Sequence, residues 1–99
     1  MYCSCVKTAR FLGANIPIGN NAENISSNSY PITGGLVLFS YPKIKHIALI
    51  TKLEEVGFWI VEGNFKPCQK TKRFIYWNDT FLAGFVDTGV IDRYLANNR

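Results

Sequence analysis

Three side-chain types in this chain can do covalent chemistry together, and one of them occurs once. His46 is the only histidine, and the cysteines are Cys3, Cys5 and Cys68. A thiol is a poor nucleophile until its pKa falls, and an adjacent imidazole or the positive end of a helix lowers it. Cys5 follows Ser4, a good helix N-cap, so it sits in the opening turn of an expected helix. A histidine base needs an acidic or amide orienter to hold its tautomer and to stabilise the imidazolium. Glu62 and Asn64 lie 16 and 18 residues beyond His46. A hairpin centred on position 54 would set Glu62 directly opposite His46. Cys5 as nucleophile, His46 as base and Glu62 as orienter would form a triad suited to acyl-bond cleavage.

Each of these residues also has a plainer reading. A lone cysteine is more often a small buried hydrophobe. A lone histidine is more often a satisfied or surface side chain, and Glu62 fits an ordinary strand end. Cys3 competes with Cys5 but precedes the helix. Cys68 falls in a Pro-containing loop and reads as an incidental thiol. An odd cysteine count without a secretion signal argues against a disulfide framework. Paired Cys-x-x-Cys spacing is absent, so no metal site and no cofactor are expected.

The elements that would position the triad can be read from residue periodicity. Val6, Ala9 and Leu12 recur at helical spacing over residues 4–12, and Gly13 ends that helix. Residues 13–34 are rich in Asn, Ser, Gly and Pro and read as a long surface connection, with a short helix around Ala22–Ser26. Five β-branched and aromatic runs follow, at Leu36–Tyr41, His46–Thr51, Phe58–Glu62, Arg73–Trp77 and Phe81–Val86. They predict a curved antiparallel meander. The tail from Gly89 to Arg99 reads as a short helix or a frayed end. The whole predicts one α+β domain over 1–99, with an N-terminal helix packed on a five-stranded, half-barrel-like sheet.

Composition agrees with a single folded unit. The chain has 99 residues, 47% hydrophobic and 18% charged, enough to bury a core and too short for two domains. No run of residues has the length or apolarity of a signal peptide or a membrane helix. The expectation is therefore cytoplasmic synthesis without export by a leader. The net charge of +4 suits an anionic partner, although a soluble protein can be basic without cause.

At these residues the chain resembles the CHAP domain, the cysteine- and histidine-dependent amidohydrolase/peptidase, a relative of the NlpC-type cell-wall peptidases of the papain-like superfamily. The resemblance is carried by Ser-Cys-Val-x-x-Ala-Arg at Ser4–Arg10 and by Pro-x-x-Gly at Pro31–Gly34 leading into a strand. It continues through His-Ile-Ala-Leu-Ile at His46–Ile50, Val-Glu-Gly-Asn-Phe at Val61–Phe65, Arg73 opening a strand, and Gly-Phe-Val at Gly84–Val86. It implies a papain-like fold and a cysteine peptidase or amidase acting on peptidoglycan through Cys5, His46 and Glu62. Asn64 would be a second polar residue near the histidine. The backbone N–H of Cys5 would build an oxyanion hole with an upstream donor, for which Tyr2 is the candidate. Trp59, Phe65, Trp77 and Tyr41 are candidates to line the substrate groove.

There are departures from the family pattern. Members carry more chain ahead of the cysteine, and many read Gly-Asp where this chain has Gly34-Gly35. No acidic residue precedes Cys5, so no calcium site is expected. A bare catalytic domain acting after lysis or machine-mediated release, as a monomer, suits a phage lytic enzyme. The rival classes are a basic sheet that stacks single-stranded nucleic acid through Lys70, Lys72, Arg73, Tyr76 and Trp77, which the triad disfavours, and an inactive relative acting as an inhibitor.

Overall fold

The computed structural model describes residues 2–13, 25 and 27–87. The chain opens with helix α1, Cys5–Phe11. Ser4 caps it, with extended backbone and a side-chain oxygen that accepts the Lys7 N–H at 3.2 Å. Thr8 ties the same turn together by donating its hydroxyl to the Ser4 carbonyl at 2.8 Å. The helix stops where Gly13 adopts a φ of 110°, a conformation that costs glycine nothing.

Five strands follow: β1 Leu36–Ser40, β2 Lys45–Leu53, β3 Gly57–Gly63, β4 Lys70–Tyr76 and β5 Leu82–Val86. They form one antiparallel sheet in the order β4-β3-β2-β1-β5. The expected meander holds for β1 to β4 only. β5 crosses to the far edge and pairs with β1, where residues 27–29 cover its outer side through a Ser29–Phe85 bridge. The short helix expected around Ala22–Ser26 and the tail at Gly89–Arg99 lie outside the described residues, Ile25 excepted.

The architecture corrects the expected fold class. Among the described residues there is one helix of 7 residues and a five-stranded antiparallel sheet, a small β-rich fold rather than an α+β papain-like or NlpC-like domain. The reason is length. Two helical turns span about 10 Å, enough to cover a patch of one sheet face and too little to form a layer.

The two sheet faces are closed by different means. Val6 and Ala9 of α1 and the C-cap Leu12 pack on Leu36, Leu38, Ile47, Leu49, Val61 and Val86, which defines the helix face. The other face carries Val37, Phe39, Ala48, Ile50, Phe58, Ile60 and Ile75. No helix among the described residues covers these side chains, and the sheet curls around them instead. Phe58 on β3 and Phe85 on β5 have ring centroids 5.8 Å apart, although β2 and β1 lie between them. A flat sheet would separate those strands by about 14 Å. We call this second side the inner face.

One close approach sets the height of α1 over β3. A Cβ at Gly63 would stand 1.8 Å from Thr8 Oγ1, so only glycine lets the helix lie this near the strand. Cys5, three residues before Thr8, is held in place by the same contact.

Candidate functional site

β2 runs past the end of its ladder with β3. That ladder extends from Leu53/Phe58 to Leu49/Val61, and Lys45–Ala48 continue beyond it. His46, two residues before Ala48, shares the inner face with Ala48 and Ile50. Cys5 heads a helix on the opposite face. It reaches the imidazole because the two strands have parted at this end. The thiol is within hydrogen-bond reach of His46 and also meets the backbone N–H groups of Ile47 and Val6.

His46 is buried, and its Nε2 lies 2.8 Å from Glu62 Oε1. With Nε2 engaged by the carboxylate, Nδ1 is the ring nitrogen left for Cys5. Glu62 is buried and saturated with donors. Thr71 Oγ1 reaches its Oε2 at 3.2 Å, Arg73 Nη2 reaches its Oε1 at 2.9 Å, and Arg73 Nε binds Oε2. Arg73 thus makes the two-pronged contact with a carboxylate that a guanidinium favours. Its Nη2 also donates to Tyr41 Oη at 3.3 Å, and Phe65 lies over its Cζ at 3.5 Å from the ring centroid.

The charges follow from these contacts. Burial pushes the Cys5 thiol up, but the His46 and backbone N–H bonds outweigh it and the thiol ends below its ordinary value. Burial works against a charged His46, yet Cys5 and Glu62 together raise it to about 8. Burial raises Glu62, and His46 and Arg73 bring it below the usual carboxylate range. Cys5 and His46 are therefore displaced toward thiolate and imidazolium, with Glu62 ionised behind them.

The pair opens into a cleft of about 210 Å³ lined by Cys5, Tyr41, Ile44, Lys45, His46, Asn64 and Phe65. Of the groove candidates, Tyr41 and Phe65 line it. Trp59 and Trp77 do not. Trp59 lies on the helix-face side of β3, packed edge-on against Phe74, with its Nε1 on Glu54 at 2.7 Å. Trp77 closes the other end of the curl against Phe58 and donates its Nε1 to the Glu55 carbonyl at 2.9 Å. Tyr2 is half-buried in the turn before α1 and is not among the cleft residues. Asn64 lines the cleft, but its Oδ1 accepts the Cys68 N–H at 3.0 Å and its backbone has a φ of 64°. Its side chain builds the β3–β4 loop.

Two features escaped the sequence. Cys68 is not an incidental thiol, because it is disulfide-bonded to Cys3 across 65 residues and leaves Cys5 the one free cysteine. The bond ties the segment before α1 to the loop after Glu62. A loop of that length contributes about 4 kcal/mol by the chain-entropy argument. The second is the Thr71–Arg73 pair. Its signal was the alternation of two polar residues on the strand after Glu62, since β3 and β4 pair Glu62 with Thr71. Among the described residues, no group of three or more His, Cys, Asp and Glu side chains is disposed to hold a metal ion. No helix among them is long and apolar enough to cross a membrane. No family model, curated protein or solved structure matches the chain.

Proposed function

We propose that this protein is a cysteine hydrolase that cleaves amide bonds, with Cys5 as nucleophile, His46 as base and acid, and Glu62 as orienter. The observation that carries the reading is the unbroken chain of contacts from the Cys5 thiol through His46 to a buried, donor-saturated Glu62. The Cys5 sulfur adds to the carbonyl carbon and the carbonyl π pair moves to oxygen. Collapse expels the amine, which takes its proton from His46. His46 then removes a proton from water, and the hydroxide releases the acid from the thioester.

The resemblance of Ser4–Arg10, His46–Ile50 and Val61–Phe65 to the CHAP pattern supports peptidoglycan as the substrate and a cell-wall lytic role. The net charge of +4 suits docking on an acidic wall. The nucleic-acid alternative is weakened by Arg73, whose guanidinium is committed to Glu62.

The test is release of fragments from purified peptidoglycan, followed by mass analysis, which also identifies the bond cut. Cys5→Ala should abolish release and leave the fold intact. Undiminished release by that variant would remove Cys5 from the mechanism. An inactive relative would show no release from the wild type either.

A further inference from the structure

Tyr41 occupies a position in the cleft that its packing alone does not require. Its ring is held on two sides, stacked on Phe39 at 5.7 Å between centroids and tilted against Phe81 at 4.9 Å. It lines the same cleft as Cys5 and His46. Its hydroxyl oxygen accepts the Arg73 Nη2–H at 3.3 Å. A phenol has one proton to donate, and a guanidinium has no acceptor to receive it. The Tyr41 proton is therefore directed away from Arg73. The guanidinium also polarises the O–H bond and makes it a stronger donor.

Resting on the catalytic reading above, we infer that Tyr41 Oη is the side-chain donor that meets the substrate carbonyl oxygen as Cys5 attacks it. The Sγ–C bond forms, the π pair moves to oxygen, and Tyr41 donates a hydrogen bond to the developing oxyanion while keeping its proton. The backbone N–H of Cys5, orphaned at the first position of α1, is the natural second donor. The role expected for Tyr2 thus passes to Tyr41. Arg73 becomes a positioning residue for both ends of the site, holding Glu62 through Nε and Nη2 and Tyr41 through the same Nη2.

Two reagents separate this role from a structural one. p-Nitrophenyl acetate acylates Cys5 through an oxyanion and expels p-nitrophenolate. Iodoacetamide alkylates the same sulfur by displacing iodide and forms no oxyanion. With Cys3 and Cys68 in a disulfide, Cys5 is the one free thiol either reagent meets. Tyr41→Phe should slow acylation roughly 10²-fold while alkylation stays within about twofold of wild type. Unchanged acylation overturns the inference. An equal fall in both rates also overturns it, because the hydroxyl would then act on the thiolate or the fold. A wild-type Cys5 that alkylates with the pH profile of an ordinary thiol would instead sink the catalytic reading, and this inference with it.

Discussion

The two sides of strands β3 and β4 present alternating residues of the same short segments, yet they are built on different principles. Inward, a buried Glu62 has both carboxylate oxygens engaged, by half-buried Thr71 and Arg73 and by His46. Outward, Trp59, Phe74 and Tyr76 lean edge-on against one another, and Lys72 lies over the Trp59 ring at 5.4 Å. The outward side bears the larger aromatic residues and the inward side the contacts to His46. Large aromatics at strand positions do not mark a cleft. A carboxylate whose every lone pair is engaged in the interior does, because leaving it unpartnered there would cost several kcal/mol.

The largest break in this contrast comes from Glu62→Gln. It removes the charge that faces both His46 and Arg73. Equilibrium urea unfolding should show a loss of roughly 3 kcal/mol, the typical cost of stranding one partner of a buried pair. Hydrolysis should fall by on the order of 10³-fold, since His46 loses the group that stabilises its imidazolium. A variant as active as wild type would confine Glu62 to a structural part.

The next effect is a titration. His46 is raised to about 8, so its stabilising contribution is full below 6.5 and fades as pH rises through 8. Glu62 is lowered, so its contribution is present above 4.5 and is lost as pH falls through its folded value. Activity should decline on the alkaline side near 8, where His46 loses the proton the leaving amine needs. NMR of the single imidazole reads this directly. In Cys5→Ala the His46 titration should move down, because the thiolate is one of the two groups raising it. A titration indifferent to the replacement would separate the two residues.

The smallest effect belongs to the outward side. Trp59→Phe keeps an edge-on contact with Phe74 and forfeits the hydrogen bond to Glu54 at the surface. It should cost about 1 kcal/mol or less and leave peptidoglycan fragment release unchanged. A fall in release with unchanged stability would draw that face into the reaction.

Much of this was legible in the residues themselves, for local reasons. Ser4 and Gly13 bracket α1 because capping and left-handed backbone are properties of single residues. The five strands follow from β-branched and aromatic runs separated by turn formers. The proposed nucleophile and base follow from scarcity, since there is one histidine and one cysteine in a first helical turn. Other features depended on distant contacts. β5 lies beside β1, Cys3 meets Cys68, and the aromatic residues divide between cleft and exterior, none of which local preference encodes. A two-turn helix also cannot form the layer that an α+β domain needs.

The pairing of His46 with Glu62 shows where the boundary falls. The residue spacing placed them directly opposite one another. In the fold the register is Leu49 with Val61, so extending it sets Glu62 across from Ala48 and makes the contact to His46 diagonal on one face. Nearer the turn the register is Lys52 with Trp59, one residue out of step, and the extra residue is Thr51 in a bulge. Continued without that bulge, the turn-end register would carry Glu62 to the helix face, away from the imidazole. By itself, the sequence determined which residues could react and which elements would carry them. Tertiary structure alone decided that they meet, because a strand's facing reverses with a single residue of register and only packing on both sides of the sheet selects one.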